Sequence, residues 1–214
     1  MNRHEGPQVK SRSTGRKSLR DLQKEETLSL LIKSAKHLFL RKGYARTTID
    51  EIASRAGASR ATFYLHFSKK WLVLRYILEA SVIPEGLEFY RRLDDMGVPS
   101  KADLRTWLIE ALEFFERHKK ILAVVREAQS VEPELGFLNL EFLRACVDAM
   151  PNYLSRWGAE RQSYAKLRMN MLTAQLDDAA TWVVHNSSEM DKELVVQALL
   201  EYWTIGLQLP PKAR

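Results

Sequence analysis

Residues 47–70 read TTIDEIASRAGASRATFYLHFSKK, and the spacing of their side chains sets the fold class. Thr48 and Glu51 stand three apart, so the hydroxyl takes a first-turn amide and the carboxylate reaches back to the cap. Ile49, Ile52 and Ala53 recur at i, i+3 and i+4 on one face of a helix predicted over 49–55. Ala56-Gly57-Ala58 forms a turn, and Ser59 caps a second helix, predicted over 60–65, whose large apolar residue is Phe63. Two short helices joined by a tight glycine turn fit a helix-turn-helix, whose second helix enters the major groove of DNA. Arg60, Thr62, Tyr64 and His66 are the donors that helix would present. The run Gly57-Ala58-Ser59-Arg60-Ala61 also matches a hydrolase nucleophile elbow, but that motif needs a buried strand before the serine and a capped helix stands there instead.

Extended outward, the pattern gains Gly43-Tyr44 on one side and His66-Phe67 and Lys70 on the other. Over roughly residues 27–78 it resembles the DNA-binding domain of the TetR family of bacterial transcription regulators. The resemblance implies an all-α protein: an N-terminal three-helix domain with the helix-turn-helix, then a C-terminal helical ligand-binding and dimerisation domain, about nine helices in all. It implies a homodimer on double-stranded DNA, most often a repressor released from a palindromic operator by a small molecule. The expected DNA-facing residues are Thr47, Thr48, Ser59, Arg60, Ala61, Thr62, Tyr64, His66, Lys69 and Lys70. Arg60 suits a guanine edge and Thr62 a base or thymine methyl, while Thr48, Ser59, Tyr64, His66 and Lys70 suit the phosphate backbone. Where the family places an acid after this lysine, the chain has Trp71. Two lysines at a helix N-terminus oppose its dipole unless an anion binds there, which marks Lys69 and Lys70 as expected phosphate contacts.

Charge agrees with that assignment. Residues 1–80 carry a net +10 and residues 81–214 a net −4, a basic module joined to a mildly acidic remainder. Residues 1–20 lack periodicity and read as a flexible basic arm. Arg16 and Lys17 are its candidates for the adjacent minor groove, the alternative being a solvated tail. The 214 residues hold one cysteine, Cys146, so no intrachain disulfide forms, as suits a reducing cytoplasm. No secretory h-region and no apolar run near the ~18 residues of a membrane span is present, so a cytoplasmic protein without membrane contact is expected. The five histidines have no metal-ligand spacing and no glycine-rich phosphate loop occurs, so neither metal nor cofactor is expected, nor an enzyme.

The remaining chain is read as domains 21–70 and 71–214. Helices are predicted over 22–42 and from 69 toward 80, with an interruption or kink at Pro84. Further helices are predicted over 101–118, 119–131, 134–157 with a kink at Pro151, 160–186 and 191–208. The helix over 160–186 is apolar on two faces and must be covered on both. The resemblance implies that the last two helices pair across a twofold axis, with Leu172, Leu176, Val183, Val195, Leu199, Tyr202 and Gly206 as candidates, whereas periodicity alone equally allows a monomeric core. Trp107, Phe114, Cys146, Met169, Met171, Trp182 and His185 suit a cavity for an apolar or aromatic effector, or plain core. Other readings are an activator or architectural DNA binder without effector, and a helical small-molecule-binding protein or enzyme with an incidental basic end.

Overall fold

The computed structural model describes residues 18–185 and 191–208, the side chains of 137–139 and 185 excepted. Arg16, Lys17 and nearly all of the basic arm lie outside the described residues, as does the His185 side chain. Among the described residues the regular elements are all helical: α1 (Leu19–Lys42), α2 (Ile49–Arg55), α3 (Arg60–His66), α4 (Lys70–Asp95), α5 (Lys101–Val131), α6 (Gly136–Asp148), α7 (Pro151–Ser155), α8 (Gln162–His185) and α9 (Lys192–Leu207). Single 3-10 turns at Pro133–Leu135 and Ala159–Arg161 precede α6 and α8.

Helix starts obey local chemistry. Ser18 with Asp21, Thr48 with Glu51 and Ser100 with Asp103 each close a capping box at the head of α1, α2 and α5. The break expected near residue 118 is absent. Neither Gly nor Pro stands between Lys101 and Val131, and the polar run there only faces outward, so α5 continues unbroken. The stretch 134–157 divides instead, because Pro151 starts α7 at its first position rather than bending one helix. Pro84 removes one amide from α4 at a cost of about 3 kcal/mol, yet the helix runs through it, held by packing on both sides.

That packing forms two apolar clusters. One joins Phe39, Tyr44, Ile52 and Phe63 of the first three helices and their connections to Val73, Leu74, Ile77 and Val82 of α4 and Ile121, Val124 and Ala128 of α5. The other gathers Phe89 and Tyr90 of α4, Trp107 of α5, Met169 and Leu176 of α8, and Trp203 of α9. Each fully buried large side chain contributes about 1.5–3 kcal/mol. α4 and α5 belong to both clusters, and the core around the first three helices reaches past residue 70. Two polar ties lock the second cluster. Trp107 Nε1 donates to the Phe89 carbonyl at 3.0 Å, and the buried Asp94 carboxylate accepts the Asn152 and Tyr153 amides at 2.8 and 2.6 Å, filling the open start of α7.

Candidate nucleic-acid interface and adjoining cavity

The α2–α3 pair is built from hydrogen bonds a few residues long. Thr48 Oγ accepts the Glu51 amide and donates to the Glu51 carboxylate, which also takes the Thr48 amide and pairs with Lys42. The Lys42 ammonium, with the Thr48 amide and hydroxyl, holds the Glu51 carboxyl down at about 2. Ser59 Oγ caps α3 by accepting the Thr62 amide at 3.0 Å and lies 2.8 Å from the Thr62 hydroxyl. Phe63 is fully buried, which turns Arg60, Ala61, Tyr64 and Leu65 outward. Arg60 is held by its neighbours: Nη1 donates to Asp50 at 2.7 Å and Nη2 to the Tyr64 hydroxyl at 3.3 Å. His66 is half-buried, and burial followed by the nearby Lys24 charge keeps its ring pKa below the usual value.

Two of the expected DNA contacts have other work. Thr47 is 1% exposed and gives its hydroxyl to the Gly43 carbonyl at 2.7 Å, bracing the turn. Lys70 is engaged likewise. Its ammonium donates to the Tyr44 and Thr47 carbonyls, both at 2.9 Å, and sits 4.0 Å over the Tyr44 ring, tying the α1–α2 turn to the start of α4. Burial lowers its pKa, consistent with a cation drawn inward. Lys69 remains exposed and pairs with Glu134 in the turn before α6. Leu65, 78% exposed on α3, is the surface residue sequence reasoning missed, and its i, i+4 spacing from Ala61 was the available signal.

Behind this surface, α5 grips the same turn. The Glu127 carboxylate accepts the Tyr44 amide at 2.7 Å and the Ala45 amide at 3.1 Å, and Glu132 accepts the Tyr44 hydroxyl at 2.9 Å. On the same stretch of α5, Leu122, Val125 and Gln129 form one wall of a cavity of about 270 Å³ that extends between α4, α5, α6 and α8. Its lining is largely apolar, with Phe89, Phe114, Phe115 and Phe142 prominent. Gly86 makes room for Phe142, whose ring tip would lie 2.9 Å from any β-carbon there.

Of the expected cavity residues, Phe114 lines it. Trp107, Cys146 and Met169 do not: they are buried in the second cluster, where burial pushes the Cys146 thiol pKa well up. Met171 and Trp182 are 66% and 56% exposed and face outward. The expected interface is corrected in the opposite sense. Leu172, Leu176, Leu199 and Gly206 are buried within the protomer, Leu176 in the cavity wall and Gly206 against Leu172. Val183 and Val195 are half-buried, and Tyr202 is exposed. The outward face of the last two helices is instead Leu167, Met171 and Trp182 on α8 with Leu194, Tyr202 and Ile205 on α9, each at least 56% exposed.

The family model for bacterial regulatory proteins of the tetR family matches residues 31–75, from within α1 to the first turns of α4. Those residues form a TetR-family DNA-binding domain. Among curated proteins it is 26% identical over 197 residues to the HTH-type transcriptional activator FasR of Mycolicibacterium smegmatis, covering 90% of this chain and 88% of that one. Among solved structures it resembles NalD, the secondary repressor of the MexAB-OprM multidrug efflux pump in Pseudomonas aeruginosa, with a TM-score of 0.57 at 19% identity over 85% of this chain and 96% of that one. It also resembles SmeT in its triclosan complex, with a TM-score of 0.55 at 24% identity, covering 87% of this chain and 96% of that one. The chain is thus a DNA-binding transcriptional regulator of the TetR type and not an enzyme. No helix among the described residues is long and apolar enough to cross a membrane.

Proposed function

We propose that this TetR-family regulator acts in the cytoplasm as a homodimeric repressor that leaves a palindromic operator when a small apolar molecule fills the cavity. The observation carrying this reading is that one segment of α5 serves both ends. Leu122, Val125 and Gln129 wall the cavity, while Glu127 holds the backbone of the turn that leads into α2. A molecule wedged against that wall shifts Glu127 and, with it, the seating of the reading helices. It does so only to the extent that it binds the shifted state more tightly.

Dimerisation is supported by the outward face of α8 and α9. Six large apolar side chains stand exposed on these two packed helices, and such exposure on neighbouring elements suits a protein–protein contact. Two copies joined there would present two α3 helices to successive major grooves, about 34–36 Å apart. Arg60 exchanges Asp50 for a base edge on binding, and Ala61 and Leu65 offer apolar contact to a thymine methyl.

The test is fluorescence anisotropy on labelled intergenic DNA upstream of the gene, with sedimentation in parallel. Salt-sensitive binding of a dimer to a near-palindrome supports the proposal, and Tyr202→Glu with Ile205→Glu should give folded monomers that bind it weakly. A double variant that stays dimeric removes this face as the interface. An activator reading is favoured by the FasR similarity; reporter expression that falls when the gene is deleted would select it.

A further inference from the structure

We infer that the cavity is built for a cationic amphiphile, an alkyl chain ending in an ammonium group, rather than for a fatty carboxylate. This rests on reading the cavity as the effector site, and it names what that site prefers. The first observation is the charge of the lining. Among the described lining residues there is one cation, Arg75, and three carboxylates, Glu79, Glu141 and Asp177. Arg75 is already engaged, with Nε on Glu79 at 2.7 Å and Nη2 3.5 Å from Glu141. An incoming carboxylate therefore finds no uncommitted cation along the lining and meets the field of three acids.

The second observation is a pair of polar groups on α8. Thr173 and Asp177 are one turn apart and both line the cavity. Thr173 is 4% exposed, and its hydroxyl has no hydrogen-bond partner among the described residues; the Tyr90 hydroxyl stands nearby, outside good geometry. A buried hydroxyl without a well-placed partner is suited to a bound molecule. The Asp177 carboxylate is half-buried and accepts no hydrogen bond among the described residues. Burial raises its pKa, Arg126 of α5 opposes that from outside the lining, and Asp178 adds to it. Arg126 is itself occupied with the Thr181 hydroxyl.

An ammonium group supplies what both groups lack. Its N–H bonds satisfy the Asp177 carboxylate and the Thr173 oxygen together, and its charge favours the ionised form of Asp177 against the cost of burial. The alkyl chain lies along α4 between Val82, Gly86 and Phe89 and against the phenylalanines of α5 and α6. From Arg75 to Tyr90 that wall is about 22 Å long at 1.5 Å per residue, which suits an extended chain.

The experiment compares decylammonium, decanol and decanoate, each below its aggregation concentration, by calorimetry and thermal shift on the full chain at neutral pH. The inference expects saturable binding at one per protomer, with decylammonium about tenfold tighter than decanol and decanoate weakest. Asp177→Asn should erase the advantage of decylammonium over decanol while leaving decanol binding in place. Glu141→Gln, farther along the lining, should retain the advantage. Decanol bound with no preference for the ammonium, or decanoate bound most tightly, overturns the inferred class and leaves the effector site standing. Failure of all three probes to bind overturns the effector site and the inference together.

Discussion

The Glu127 carboxylate occupies the place where a side chain on Gly43 would have to be: a β-carbon built there falls 2.5 Å from Oε2 and 2.9 Å from Oε1. Gly43 also has φ 87° and ψ 168°, a region open essentially to glycine alone. One residue therefore ends α1, turns the chain and leaves space for the acid from α5 that holds the next two amides. Gly43→Ala should cost about 1–3 kcal/mol in chemical denaturation. Part of that loss comes from displacing Glu127, so the increment should shrink in a Glu127→Ala background. Strict additivity of the two changes would mean that the acid is not sterically coupled to the turn.

Asp50 restrains the arginine at the head of α3. Asp50→Asn should free Arg60 and raise affinity for DNA of any sequence, most visibly at low salt. Arg60→Ala should weaken operator binding by about 1–3 kcal/mol and relax preference at one position per half-site. Competition against random DNA separates the two effects. Equal loss on operator and random sequence would mark Arg60 as a phosphate contact.

Lys70 reads differently once its partners are known. Lys70→Met keeps the length of the side chain and removes both hydrogen bonds to the turn. Stability should fall by about 1–3 kcal/mol, toward the lower end because the group is half-exposed. The salt dependence of DNA binding should hardly change. A slope lowered by about one per protomer would return Lys70 to the phosphate contacts.

The Glu51 carboxyl titrates at about 2, below its ordinary 4.5, because Lys42 and the Thr48 amide and hydroxyl favour the charged form. Its contribution to stability is thus complete above pH 4.5 and lost as the pH falls toward 2. Thermal melts of the wild type and Glu51→Gln should converge across that window. Curves that keep a constant separation down to about pH 2 would assign the stabilisation to shape rather than charge.

The parts of this protein legible in its sequence are those made by near neighbours. Thr48 with Glu51 and Ser59 with Thr62 are three residues apart, and α2 spans the residues their spacing predicts. The cavity was not legible in this way. Its walls come from four helices, and the space opposite Phe142 exists because Gly86 stands far away in the chain. Glu127 and Tyr44 are likewise 83 residues apart. On α8, periodicity finds two apolar faces and carries no label saying which one turns inward. Leu172 and Leu176 went in and Met171 and Trp182 went out, the reverse of the expectation.

The passage of α4 through both apolar clusters limits how this protein can be taken apart and recombined. A reading unit cut at residue 70 would lose Val73, Leu74, Ile77 and Val82, and with them one wall of its own interior. The smallest transplantable reader therefore carries α4 to about Pro84, where the missing amide makes a natural seam. Even that piece arrives without Ile121, Val124, Glu127 and Ala128 of α5. A chimera that keeps operator choice and changes effector must rebuild those positions on its new host.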